Sequence, residues 1–343
     1  DTTDRFPLRD GSYLVLPPQA GKEALTLTGR NASQAFYADP EADAATADGT
    51  ADHPFATLQD AVNQVTAAGW GIVYARKGTY DRGGSKIIGG ITNRVAIQNR
   101  HVRLVGLDGA ENTFIVGAPD PKAGEGDYGC GSNAVRCVAA SATSAVQGFT
   151  LRNGYAGSVD DDWEGNYAGA VLGGKSVQVV DCVVSNCFAA RASISRGTSD
   201  SKNIFLRSKV FGCRTTGRSK EDAEKGCCGY CLYTDFASCL LVKNWSGCVD
   251  TPVFGVYNGE CVYDTTVYAE GENGNFSGFG VQKKTSGSHR NSIYMGFGSY
   301  RNGTVYGVVI DQLIRNTESG ETYVTALTGT HTEGKVTTGR GFA

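Results

Sequence analysis

The sequence predicts an all-β chain, a right-handed parallel β-helix closed at its start by one short α-helix. Three observations carry that prediction. First, there are 47 glycines among 343 residues, about twice the ordinary share; because glycine costs about 1 kcal/mol at each helical position, a helical bundle is excluded. Second, a single stretch near residue 60 shows helical period. Third, from about residue 71 onward short apolar runs alternate with glycine- and asparagine-rich turns, and the runs echo one another.

In chain order, residues 1–35 show no strong period and are punctuated by Pro17-Pro18 and Gly29, so they read as an extended lead-in. The rest, 36–343, is expected to be one β-helix domain: a cap over 36–70, coils over about 71–328, and a Thr- and Gly-rich C-terminal segment over 329–343. Within the cap, Leu58, Ala61, Val62 and Val65 fall on one helical face. Thr57 with Asp60 resembles a capping box built with Asp. A helix over about 57–68, ended by Gly69, follows.

The echoes are Phe149 to Gly154, Cys182 to Cys187, Ser208 to Cys213, Lys243 to Cys248, Thr265 to Glu270 and Ser292 to Gly296, spaced by 22 to 35 residues. Such irregular units are too short for propeller blades and lack a leucine grid. They fit one turn of a solenoid, in which each coil buries its apolar face only by stacking on the next. With a rise of about 4.8 Å per coil, nine or ten coils make a column roughly 45 Å long. The helix is expected to close the first coil, where backbone edge and core are otherwise open.

Composition narrows function. The formal charge of −3 lacks the footprint of a nucleic-acid binder, and no apolar run reaches the roughly 18 residues of a membrane span. Eleven cysteines fit an oxidising compartment, extracellular or at the cell surface, and their odd number leaves at least one thiol unpaired within the chain. Opening on Asp1 rather than Met leads us to expect a processed product.

The stretch Phe36 to Ala61, with Ile72-Val73-Tyr74-Ala75-Arg76-Lys77-Gly78-Thr79-Tyr80, resembles the N-terminal cap and first coil of secreted right-handed parallel β-helix proteins of the pectate-lyase-like superfamily. The pattern is that of family 9 polysaccharide lyases and unassigned bacterial surface proteins. The resemblance implies the fold, an extracellular setting and polysaccharide as the commonest ligand. Lyases of this superfamily use Lys or Arg beside Ca²⁺, and its hydrolases use short aspartate motifs; no residue of this chain aligns with either set.

The densest acid and aromatic cluster is Asp160, Asp161, Asp162, Trp163, Glu164 and Tyr167. Four carboxylates would suit Ca²⁺, and Trp163 or Tyr167 would stack on a sugar. The alternative is a solvated acidic loop with Trp163 folded back on the wall. Asp39, Glu41, Asp43, Asp48 and Asp52 miss EF-hand spacing and read as turn formers. Arg191, Arg196, Lys283 and Lys284 are the basic candidates for proton abstraction, with surface charge as the plainer reading. His53, His101, His289 and His331 are too scattered for a triad or a zinc site.

Cys187, Cys213 and Cys248 share one place in three echoes and are expected to stack along one wall, as core thiols or oxidised neighbours. Cys130 with Cys137, and Cys182 with Cys187, are candidate local disulfides. For Cys227, Cys228, Cys231 and Cys239 zinc, disulfides and free thiols all stay open. Sequons occur at Asn31, Asn244, Asn275 and Asn302. Together these readings give a rigid extracellular or cell-surface scaffold that binds polysaccharide or protein partners, including copies of itself; the alternative is a lyase or hydrolase acting on acidic glycans.

Overall fold

The computed structural model describes residues 34–66, 70–125, 127–157, 164–215, 231–242 and Asn244. It also gives the backbone of strands Arg5–Pro7 and Tyr13–Val15, of Trp245–Ser246, and of those from Val256 on. The chain winds as a parallel β-helix. Each coil runs along wall A, turns onto wall B, passes a two-residue strip D in the middle coils, and returns along wall C.

Wall A stacks Trp70–Ala75, His101–Gly106, Ser144–Gln147, Val177–Val180, Asn203–Leu206 and Thr234–Ala237 in register. Wall B stacks Gly78–Tyr80, Thr113–Val116, Thr150–Arg152, Val183–Ser185, Lys209–Phe211 and Leu240–Val242. Strip D joins Tyr155–Ala156, Phe188–Ala189, Arg214–Thr215 and Trp245–Ser246. Wall C holds Thr92–Ile97, Val135–Ala140, Val171–Gly173, Ser195–Arg196 and Cys231–Leu232. Parallel pairing continues to Ile314–Arg315, after which Thr322–Tyr323, Gly329–Thr332 and Lys335–Thr338 pair antiparallel.

Because side chains alternate along a strand, every wall sends one row inward. Val73, Leu104, Val146, Val179, Phe205 and Phe236 form that row on wall A, and Ile115, Leu151, Val184, Val210 and Leu241 form it on wall B. The Phe205 and Phe236 rings follow each other at 5.3 Å. These rows meet in one continuous core column.

The corners stack as strictly as the walls. Between walls A and B, Gly148, Asp181, Arg207 and Ser238 occupy successive coils and all are left-handed, with φ of 71°, 51°, 46° and 52°. Between wall B and strip D, Asn153, Asn186 and Gly212 do the same. Asp181 and Arg207, neighbours in the first corner row, form a bidentate pair at 2.6 and 2.7 Å. Gly154 is glycine for a different reason. Its φ is not positive, but a Cβ there would lie 2.0 Å from the Gly169 carbonyl.

A corner leaves the amide that follows it without a strand partner, and the next coil supplies one. The Phe149 N–H donates to Cys182 Sγ at 3.5 Å, and the Cys182 N–H to Ser208 Oγ at 3.1 Å. Elsewhere the Val177 N–H donates to Asn203 Oδ1 and the Cys213 N–H to Asn244 Oδ1, each at 3.0 Å.

That register corrects the fourth echo. Leu240–Val242, not the run from Lys243 to Cys248, continues wall B, and Asn244 takes the place expected for Cys248. Cys248 lies outside the described residues. Cys137, Cys182, Cys187 and Cys213 are free, buried thiols, so neither Cys130–Cys137 nor Cys182–Cys187 is a disulfide here. Cys182 and Cys187 lie at opposite ends of strand Val183–Ser185, whose extended residues hold their Cα atoms beyond bridging distance.

The expected helix is shorter than its apolar period. Helix α1 runs Leu58–Gln64. Thr57 caps it as expected, accepting the Asp60 N–H at 3.1 Å and donating to the Asp60 carboxylate at 2.6 Å. Val65 takes extended backbone and drops its side chain into the core. Arg100 Nη1 then donates to the carbonyls of Val62, Asn63 and Val65 at 2.9 to 3.1 Å. The guanidinium thus satisfies the helix C-terminus with charge of the favourable sign. In the cap loop, Asp39, Asp43 and Asp48 accept the N–H of Glu41, Ala45 and Thr50, each two residues on.

α1 also closes the open edge of wall C. The buried Gln59 amide pairs with Ala96 as a strand would: Nε2 donates to the carbonyl at 3.1 Å and Oε1 accepts the N–H at 2.7 Å. Replacing Gln59 by Leu strands both backbone groups, at about 1–3 kcal/mol each. We expect a loss of about 2–5 kcal/mol in urea unfolding, whereas Asn63→Ala on the exposed side of α1 costs well under that. Asn244 is 4% exposed, and its amide is engaged by Cys213 and Val210. Folded protein secreted from a glycosylating host is therefore expected to carry no glycan at Asn244, which intact-peptide mass spectrometry checks.

Candidate functional site

Two loop-covered surfaces rise from this frame. On wall C the outward row is Ala96, Ala139 and Leu172, small or apolar residues that require a cover. Segments 81–91 and 164–168 provide it, with Ile88, Tyr167 and Ala168 packed on that row.

A buried polar pair holds both loops down. Asn93 and Arg136 are neighbours on adjacent coils, both fully buried, and Arg136 Nη1 donates to Asn93 Oδ1 at 2.6 Å. Asn93 Nδ2 faces the carbonyls of Ser85, Ile88 and Ile91 in the first loop. Arg136 donates to the carbonyls of Glu164, Tyr167 and Ala168 in the second. Gly89 meets Glu164 where the loops touch; a Cβ there would lie 3.2 Å from the Glu164 Cβ.

This is the region that the acid and aromatic cluster marks in the sequence. Asp160, Asp161, Asp162 and Trp163 lie outside the described residues, as do Lys283 and Lys284. Glu164 is exposed. Tyr167 corrects the expectation of a sugar platform: its side chain is fully buried, because wall C needs its ring as a lid. The guanidinium carbons of Arg196 and Arg191 stand 5.0 and 5.7 Å from the ring centroid. Tyr167 and Arg191 also pair as a bridge, and Arg196 Nε is buried without a hydrogen-bond partner. Two of the basic candidates therefore converge. Among the described residues no three of His, Cys, Asp and Glu gather as a metal site.

The second surface, over strip D, carries residues that the sequence reading did not single out. Loop 117–134 closes on itself where Ala118 and Val135 exchange backbone hydrogen bonds. Asp120 organises it: Oδ1 accepts the Lys122 N–H at 2.8 Å and Oδ2 the Asn133 N–H at 2.9 Å. These donors, Asn133 first, hold its carboxyl below the usual carboxylate range. The loop presents Tyr128, left-handed at φ 50° and 45% exposed.

Arg214 reaches Tyr128 from two coils further along strip D. Its guanidinium carbon lies 4.2 Å from the ring centroid, Nη2 donates to the hydroxyl at 3.2 Å, and Nε is buried without a partner. Beside them the half-exposed Tyr155 and Phe188 rings stack at 5.1 Å with 6° between planes. The result is a row of three aromatic rings and an arginine along the column.

In-register walls with stacked corners define the class of protein, a parallel β-helix. No family model and no curated protein matches the chain. Among solved structures it is similar to a rhamnogalacturonan lyase, at 12% identity over 80% of this chain and 74% of that one, with a TM-score of 0.41. It is also similar to the pectin methylesterase of Aspergillus niger in deglycosylated form, at 12% identity over 80% and 86% of the two chains, with a TM-score of 0.36. At this level the likeness concerns fold alone.

The loop clamp is open to test. Arg136→Met keeps the stem but leaves the carbonyls of Glu164, Tyr167 and Ala168 without their donor, a cost of about 1–3 kcal/mol each. Limited proteolysis is expected to cut within 81–91 and 164–168 in this variant while the coils stay intact; the same resistance as the parent would show that Arg136 does not hold these segments.

Proposed function

We propose that the protein is an extracellular or cell-surface β-helix module, a rigid scaffold that binds acidic polysaccharide through strip D. The observation that supports this most is the Tyr128–Arg214 pair. The loop holds the ring in solvent, and a cation from another coil braces it. An aromatic ring offers a sugar its apolar face, and a guanidinium offers a carboxylate or sulfate two parallel donors. The walls give this row a fixed repeat along the column, which suits a chain of regularly spaced residues. Cysteine abundance supports the extracellular setting. Protein partners and self-association along the same walls are the other binding readings.

A catalytic reading has one observation in its favour, the convergence of Arg191 and Arg196 on Tyr167. In it, one of these arginines would take the proton beside a uronic carboxylate. A calcium ion would polarise that carboxylate if Asp160, Asp161 and Asp162 bind one.

One experiment separates these readings. Affinity electrophoresis in polygalacturonate, alginate and chondroitin sulfate is expected to show retardation by at least one of them, weakened by salt. Tyr128→Ala and Arg214→Ala are each expected to weaken it about tenfold or more, the scale of one charge-assisted or cation–π contact, with unchanged circular dichroism. Retardation that both variants leave intact overturns the strip D site. Ultraviolet-absorbing unsaturated product in the same mixtures, lost in Arg191→Ala or Arg196→Ala, establishes the lyase reading instead.

A further inference from the structure

We propose that Cys137, Cys187 and Cys213 form an oxidisable three-thiol junction inside the column, in which Cys187 takes one disulfide to a neighbouring coil. The pairing of Phe188 with Arg214 sets Cys187 and Cys213, the residues just before them, at the same place in successive coils. Both are fully buried. Neighbouring strands lie about 4.8 Å apart, within the Cα separation that a disulfide spans.

One coil earlier the equivalent residue is Gly154, which has no side chain to fill the place. Cys137 fills it from wall C: a Cβ on Gly154 would lie 2.8 Å from Cys137 Sγ. The Cys187 thiol is near enough to those of Cys137 and Cys213 for both to act on its ionisation, while its own hydrogen bonds go to the carbonyls of Ser185 and Leu151. Beyond Cys213 the row ends at Asn244, whose amide holds the Cys213 N–H. Three sulfurs therefore follow one another with Cys187 in the middle, and one bond leaves one thiol over. Cys182 has no such choice, since its neighbours in the corner row are Phe149 and Ser208.

The reaction needs a small-molecule disulfide such as oxidised glutathione. The Cys187 thiolate attacks one sulfur, forming a mixed disulfide and releasing one glutathione thiolate. The thiolate of Cys213 or Cys137 then displaces the second glutathione. Two protein thiols lose two protons and two electrons, and the reagent disulfide becomes two thiols. Burial pushes Cys137 and Cys187 well above the usual thiol range, so the folded core holds the unreactive thiol. The bond is accordingly made while these coils stack or when they open locally.

The test refolds the full chain carrying Cys182→Ala in excess oxidised over reduced glutathione, alkylates it, digests it with trypsin and maps peptides without reduction. The added substitution leaves Cys187 as the single cysteine of peptide 176–191. We expect that peptide linked to 210–214 or to 137–152, with the third thiol alkylated and the thermal midpoint raised by several degrees over the reduced protein. Further substitution of Cys187→Ala is expected to abolish link and shift together; Cys187→Ser serves if the alanine variant does not fold. Alkylation of all three thiols, or a Cys137–Cys213 link that survives loss of Cys187, overturns the proposal.

Discussion

A chain that returns to the same height on every coil must turn the same corners at the same places, and each corner takes an amide out of the sheet ladder. An amide left buried without a partner costs about 1–3 kcal/mol, a penalty repeated with every coil. The fold meets that constraint with short side chains reaching back from the next coil: Cys182 and Ser208 at one corner, Asn203 and Asn244 elsewhere. Sulfur, hydroxyl and amide oxygen are used interchangeably because the site asks for a short stem and an acceptor. Several of the eleven cysteines are therefore corner and core residues whose identity follows from size and position.

The same need to leave no edge open governs the features outside the column. Gln59 imitates a strand against wall C, Arg100 closes α1, and Asn93 with Arg136 seals two loops over an apolar outer face. Each is a polar side chain that satisfies main-chain groups belonging to other segments. Strip D differs, because there an aromatic ring, that of Tyr128, is left partly in solvent beside a cation. That contrast is why strip D, rather than the sealed wall C, carries the binding proposal.

The fold was legible because stacking repeats its demands: inward rows alternate, corners favour Gly, Asn and Asp, and echoes appear at strand spacing. The helix start was legible for a local reason, Thr57 with Asp60, whereas its end depends on Arg100, far along the chain and silent in the local pattern. The echo placed at Lys243 to Cys248 misled because a terminal cysteine imitated Cys187 and Cys213, while the true row accepts Asn as readily. Tyr167 misled because the density of acids and aromatics says nothing of the bare outer face of wall C. Tyr128 carried only a weak signal, an aromatic residue flanked by Asp127 and Gly129 in a loop, and its partner Arg214 lies 86 residues on.

The cap also gives the molecule a direction of growth. Gln59 and Ala96 meet within the first coil, so the base of the column is finished before most of the chain is needed. On a ribosome that base would emerge first and offer one complete upper edge for each later coil to dock on. Assembly from this end adds coils one at a time, each closing a loop of a few tens of residues, and spares the chain the slow search that long-range parallel pairing otherwise imposes.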